Sequence, residues 1–177
     1  TKFLTQIIIQ LLDDMQNNNP WCINWKLLYV DTERPVSQYA KSVEHIFATT
    51  TLPTPEVCSR LHFLSVMDLG CKTILKSIND HLSIHKEHNF IVIIDHVLPL
   101  VTDLNSTNEA TDIDQFIKQM IARDHIIIAS IHKPASGLPK GLGHVGSALQ
   151  RLASFILEIS NDADGSGLEK LSEYFSD

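Results

Sequence analysis

A run of apolar residues that ends in a carboxylate, Phe90 to Asp95, constrains the fold of this chain more than any other segment. Two similar runs, Leu27 to Asp31 and Ile126 to Ile131, are also followed by polar residues. These runs are rich in β-branched residues and almost wholly apolar, which is the pattern of strands covered by helices on both faces. Ligands of open α/β sheets bind at the carboxyl ends of the strands, so the polar residues there are the first candidates for a functional site.

Helical and strand patterns alternate along the chain. The patterns predict strands over 27–31, 61–66, 90–95, 126–131 and 155–159, and helices over 1–16, 36–48, 69–86, 108–123 and 145–152. Such alternation predicts the α/β class, in three α/β/α layers around a mainly parallel sheet. A chain of 177 residues, 44% hydrophobic and 20% charged, suits one compact domain over 1–177.

Charge and cysteine content exclude several classes of protein. A formal charge of -7 argues against a generally basic nucleic-acid surface, although a local basic strip inside a ring of subunits would escape this average. Three cysteines, Cys22, Cys58 and Cys71, lack metal-ligand spacing and predict reduced thiols in a cytoplasmic protein. No run approaches the roughly 18 apolar residues that indicate a membrane span, so no membrane partner is expected.

The three polar strand ends, in this order, resemble the RecA-type ATPase core. The resemblance is strongest to the RepA-like branch of hexameric replicative helicases and related mobile-element ATPases, and it covers nearly the whole chain. Leu28 to Glu33 looks like the strand and acidic residue that polarise the attacking water, and Ile91 to Asp95 looks like Walker B. Ile128 to Lys133 looks like the histidine motif, and Gly146 to Ile159 looks like the segment that follows it. The resemblance implies a P-loop NTPase fold, ATP and Mg²⁺ as ligands, and a homo-oligomeric ring.

The resemblance gives four of these residues separate roles. Glu33 would orient the water that attacks the γ-phosphate, while Asp95 would hold Mg²⁺. His132 would sense the γ-phosphate and move the loop that follows, and Lys133 would add positive charge beside it.

Each residue alone also has a structural explanation. Asp31 or Thr32 could cap the helix after Pro35, and Glu33 could belong to the same turn. Asp95 and His132 could equally be structural residues at strand ends. A further histidine cluster, His81, His85 and His88, has helical spacing, but without an acidic or cysteine partner in register a metal site there is disfavoured.

The chain departs from the family at its beginning. None of its segments matches Gly-x-x-x-x-Gly-Lys-[Ser/Thr], the loop whose amides and lysine hold phosphate. Thr1 opens an amphipathic helix as though it were the last residue of that motif, whose hydroxyl would reach Mg²⁺. We therefore expect upstream sequence to be missing, with a truncated natural pseudo-enzyme as the alternative.

Three basic residues near the carboxyl end are candidates for contacts with partners. Arg151 is either an arginine finger for a neighbouring subunit or an ordinary exposed helix arginine. Lys140 and His144 lie in the glycine-rich loop of residues 134–146, where they could touch the backbone of single-stranded DNA.

The sequence thus predicts an ATP-binding and hydrolysing motor or switch in DNA replication, plasmid maintenance or mobilisation. One alternative is a non-catalytic RecA-fold interaction module that has lost its phosphate-binding loop. Another is a different doubly wound enzyme that uses Asp95 and His132 without a nucleotide.

Overall fold

The computed structural model describes residues 2–16, 24–131, 143–161 and 169–175. The helices are α1 (Lys2–Gln16), α2 (Val36–Thr49), α3 (Thr54–Arg60), α4 (Cys71–Ile84), α5 (Thr107–Ile121) and α6 (Gly143–Leu152), with a short 3₁₀ helix at Leu98–Leu100. The strands are β1 (Trp25–Asp31), β2 (Leu61–Ser65), β3 (Asn89–Asp95), β4 (Ile126–Ala129), β5 (Phe155–Asn161) and β6 (Glu169–Phe175). No helix among the described residues is long and apolar enough to cross a membrane.

Contacts divide the chain into two compact units. The first comprises residues 1–102 and 116–132, and the second comprises residues 103–115 and 133–177. A unit defined by contacts is not the same as a separately folding domain. A single domain over 1–177 therefore stays a prediction.

The first unit is built on a parallel sheet of four strands in the order β2-β1-β3-β4. β1 and β3 are central neighbours, and their register aligns Leu27 with Ile91 and Asp31 with Asp95. The predicted α/β class and mainly parallel sheet are confirmed. All four strands therefore deliver their carboxyl ends to one edge of the sheet.

One face of this sheet packs against α1, α2 and α3. The apolar stripe of α1 is buried, and it joins a core with alternate residues of β1 and β3: Ile8, Leu12, Met15, Leu27, Tyr29, Ile91 and Ile93. Burying a side chain of this size stabilises the fold by about 1.5–3 kcal/mol. The helical spacing in α1 thus exists to cover this face.

The residues between these alternate positions point to the opposite face. Leu28, Val92 and Phe90 are fully buried there, and the ring of Phe90 lies 5.9 Å from the ring of His81 near the end of α4. α4 buries Ile74, Ile78 and Leu82, four residues apart. Because helices cover both faces, the strands are apolar at every position rather than alternating.

The second unit contains an antiparallel pair that the sequence pattern did not predict. β5 pairs with β6 in a separate two-stranded sheet, with Phe155 opposite Phe175. Placing the strand at 155–159 in the parallel sheet was therefore wrong for the described residues. The seven residues that separate β5 from β6 suit a hairpin and are too few for a parallel crossover.

Candidate functional site

Two buried carboxylates lie side by side at the carboxyl edge of the parallel sheet. Asp31 ends β1, Asp95 ends β3, and the strand register places them opposite one another. Both are buried. Removing two negative charges from water is costly unless each is paired and hydrogen-bonded, so the partners of these two residues decide what the site can do.

Arg34 is the cation that pairs with both carboxylates. Its Nε donates to Asp31 Oδ2 at 2.6 Å, and its Nη2 lies 3.4 Å from Asp95 Oδ2. The remaining donors reach Ser42 Oγ at 2.6 Å and the Tyr29 hydroxyl at 2.7 Å. Burial opposes the charge of Arg34, but its neighbours, the two carboxylates among them, outweigh this effect and raise its pKa. The guanidinium thus stays charged and fixes both strand ends.

The Tyr29 hydroxyl connects the arginine to Asp95. It accepts from Arg34 and donates to Asp95 Oδ2 at 2.9 Å, while its ring lies in the core against Tyr39 at a centroid distance of 5.5 Å. Burial first and the charge of Asp95 second raise the pKa of Tyr29. The phenol therefore remains a neutral donor to the carboxylate.

The turn after β1 aims Arg34 back at the sheet. Asp31 Oδ1 accepts from the backbone N–H groups of Glu33 at 3.1 Å and Arg34 at 2.9 Å. The N-cap of α2 is Pro35, and no side chain caps that helix. Neither Asp31 nor Thr32 is therefore the helix cap that the sequence allowed.

His96, directly after β3, has a backbone conformation that is uncommon for a residue with a side chain, with φ of 77°. Its N–H donates to Ser130 Oγ at 2.9 Å, and Thr32 Oγ1 lies 2.7 Å from its carbonyl oxygen and 2.8 Å from that of Asp95. The surrounding contacts thus hold a conformation that costs on the order of 1–3 kcal/mol, as is common at functional sites.

Glu33 reaches the same edge from the turn after β1. Its Oε1 contacts Nδ1 of the buried His96, while 39% of its side chain remains exposed to solvent. The imidazole therefore restrains a carboxylate that water can still reach. Ser130, after β4, places its Oγ 3.5 Å from Asp95 Oδ1.

The structure brings together two of the predicted site residues, Glu33 and Asp95, with the buried His96 beside both. Arg151 lies exposed in the last turn of α6, and His144 is exposed in the first turn. Four predicted residues lie outside the described residues: Thr1, His132, Lys133 and Lys140. Of the loop of residues 134–146, only residues 143–146 are described.

Sequence reasoning missed the residues that tie this edge together: Tyr29, Arg34, Ser42, His96 and Ser130. One signal was available, because Arg34 follows Asp31 by three residues and immediately precedes Pro35. A proline is tolerated before or within the first turn of a helix, so Arg34 had to lie in the turn between strand and helix. Its reach to Asp95 depends on the strand order.

The oxygen donors at this edge suit a hard cation. Asp95, Glu33 and Ser130 offer carboxylate and hydroxyl oxygens, which are the ligand types that Mg²⁺ prefers. Arg34 already pairs with Asp95, so an ion there would share this carboxylate with the guanidinium. A surface pocket of about 260 Å³ lies instead near Asn89 and His125, at the opposite edge of the sheet.

Comparison with known proteins rests on the fold. No protein-family model matches the chain. No match is found among curated proteins. Among solved structures, the ATPase domain of a RecA-like replicative helicase superposes with a TM-score of 0.57 and 13% sequence identity, over 96% of this chain and 75% of that chain. At this identity the likeness establishes architecture and leaves activity open. The chain therefore has the fold of a RecA-like ATPase domain, as its sequence predicted.

Proposed function

We propose that this chain is the ATP-binding and hydrolysing core of a RecA-like motor or switch that acts in DNA replication, plasmid maintenance or mobilisation. One observation carries the proposal. Glu33 and Asp95 come from neighbouring strands and meet at the carboxyl edge of the sheet, with His96 holding the Glu33 carboxylate. In open α/β folds this edge is where ligands bind.

The division of labour follows from exposure. Asp95, buried and hydrogen-bonded, would hold Mg²⁺ with Thr1, and the ion would neutralise charge on the phosphates. Glu33 is partly exposed, so its carboxylate can accept a hydrogen bond from an attacking water. Arg34 and Tyr29 act as positioning residues, because they fix the orientation of the Asp95 carboxylate.

The finer assignments rest on the resemblance to RepA-like hexameric ATPases. They comprise a ring of identical subunits, His132 and Lys133 beside the γ-phosphate, and Arg151 as the arginine finger for a neighbouring site. Contact between single-stranded DNA and the loop of residues 134–146 would use Lys140 and His144. Each of these assignments is separately testable by substitution.

The test is MgATP hydrolysis by the complete gene product and by its Glu33→Gln variant. We expect the variant to lose about 10²- to 10⁴-fold in turnover, the usual contribution of a positioned acid or base, while its affinity for MgATP is kept. Glu44→Gln is the matched control, since Glu44 is an exposed residue of α2. Equal turnover in Glu33→Gln and wild type would remove Glu33 from the mechanism.

A second function has one observation in its favour. Arg34 bridges Asp31 and Asp95, as an arginine does in a purely structural ion cluster. This favours a non-catalytic interaction module built on the RecA fold. Thermal melts of the complete gene product separate the two functions, because a ligand that binds only the folded state raises the melting temperature. A melting temperature that MgATP leaves unchanged favours the module.

A further inference from the structure

Three histidines from two elements converge on one face of the parallel sheet. His62 lies on β2, while His81 in the last turn of α4 and His85 immediately after that helix lie one turn apart. Each offers a ring nitrogen, and these nitrogens all lie within 4.8 Å of one another. His62 Nδ1 and His81 Nε2 approach to 2.8 Å.

We propose that His62, His81 and His85 form a binding site for a divalent transition-metal ion such as Zn²⁺. Imidazole nitrogen is a preferred ligand of Zn²⁺, and three histidines with one water complete a tetrahedral site. All three side chains are partly accessible to solvent, so an ion can reach them and keep a water. The proposal is independent of nucleotide binding.

Small adjustments would bring the nitrogens into coordination. Zn–N bonds of about 2.05 Å place tetrahedral ligand nitrogens roughly 3.3 Å apart. The 2.8 Å contact between His62 and His81 has to open by about half an ångström. A proton shared in that contact has to move to the far nitrogen of its own ring, so that both facing nitrogens present lone pairs.

Two features around the cluster suit a cation. The carboxyl end of α4, where the partial charge of a helix is negative, lies at His81 and His85. The Glu87 carboxylate lies 4.0 Å from His85 Nδ1, where it can orient the ring as carboxylates do for metal-bound histidines. The ring of Phe90 packs edge-on against His62 at 5.4 Å and closes the apolar side. Lys26 acts against a cation, because its charge also reaches His62.

Zn²⁺ titration by calorimetry tests the site, on chain stripped with a chelator and freed of any affinity tag. We expect one equivalent to bind in the wild type. His62→Ala and His85→Ala should each weaken binding by more than the roughly 10- to 100-fold that loss of a ligand-orienting group costs. His88→Ala is the matched control, because His88 neighbours Glu87 but lies outside the trio, and its affinity should stay unchanged. Co²⁺ should give the visible absorption of a tetrahedral site in the wild type and lose it in both trio variants.

Two outcomes would overturn the site. Zn²⁺ affinity that survives both His62→Ala and His85→Ala would place the ion on other ligands, such as the thiols. An affinity too weak to measure in the wild type would leave the cluster as histidines packed around Phe90. Thermal melts without metal check that each variant folds, and His85, with a third of its side chain exposed, provides a variant with little effect on the core.

Discussion

Replacing Arg34 by Met should destabilise the protein far more than loss of an ordinary salt bridge. Met keeps the length of the aliphatic stem and removes only the guanidinium. Asp31 and Asp95 then remain buried without their cation, and the Tyr29 hydroxyl and Ser42 each lose a hydrogen-bond partner. The cost arises because the carboxylates stay charged in a site that water barely reaches.

The magnitude follows from the distances. At an effective dielectric constant of about 20, one charge pair about 4 Å apart is worth roughly 4 kcal/mol, and Arg34 makes two such pairs. Desolvation of the guanidinium offsets part of this gain. Removing one partner of a buried pair costs about 3–5 kcal/mol, and we expect a loss in that range for Arg34→Met. This is a large share of the roughly 5–15 kcal/mol that holds a domain folded.

Urea denaturation measures the loss as a shift of the midpoint at unchanged slope. Lys76→Met is the matched control, because Lys76 pairs with Asp80 at 2.5 Å but has 73% of its side chain exposed. The control should lose no more than about 0.5 kcal/mol. In an Asp95→Asn background the loss caused by Arg34→Met should shrink by about 1–3 kcal/mol, since one of the stranded charges is gone.

Two results would refute this reasoning. A loss below about 1 kcal/mol for Arg34→Met would mean that water already solvates the two carboxylates. An identical loss in the wild-type, Asp31→Asn and Asp95→Asn backgrounds would mean that the arginine acts through packing rather than through charge.

Three further predictions concern other parts of the fold. Tyr29→Phe should cost about 1.5–3 kcal/mol in urea denaturation because its hydroxyl bonds charged groups, whereas Tyr39→Phe, whose hydroxyl donates to a neutral carbonyl at 3.1 Å, should cost about 0.5–1.5 kcal/mol; equal losses would contradict the ion cluster. Gly143→Ala should increase hydrogen exchange in α6, because φ is +59° and an added Cβ would lie 2.4 Å from the Leu104 carbonyl oxygen, while Gly70→Ala, where the Cβ meets open space, should leave α4 protected. Burial, followed by nearby positive groups, lowers the pKa of His62 from 6.5 to about 4, so the unfolded chain takes up this proton first as pH falls. Stability present above pH 6.5 should therefore decline towards pH 4, by about 1–2 kcal/mol after allowance for solvent screening, and His62→Gln in chelator should lose less.

The strands of the parallel sheet were predictable because their burial leaves a mark on every residue. Phe90 to Asp95 could only be a central strand, and its register with β1 follows from their equal lengths and parallel direction. β6 left no such mark, since Glu169 to Phe175 mixes polar and apolar residues without a clear period. α3 is only seven residues long and contains a proline in its first turn, so its helical pattern was too short to recognise.

The site was predictable only in part, for a related reason. Strand ends reveal their acidic residues in the sequence, and Glu33 and Asp95 were found in this way. Partners from elsewhere depend on strand order and helix packing, which spacing does not encode. The histidine cluster shows the same limit: helical spacing found His81 and His85, but His62 joins them only because β2 lies beside β1 under the end of α4.

The charge at the carboxyl edge bears on how a nucleotide would bind there. Three carboxylates, Asp31, Glu33 and Asp95, face a single guanidinium, that of Arg34, so negative charge is in excess among the described residues of this edge. A bare polyphosphate would be repelled, whereas one that carries Mg²⁺ would be attracted to the same carboxylates. Because Arg34 already holds Asp95, the ion would approach a carboxylate whose orientation is fixed before binding, which removes an ordering cost from the binding step. The same arginine that favours a structural cluster is therefore compatible with a preorganised magnesium site, and the two functions differ in whether Asp95 can share its charge.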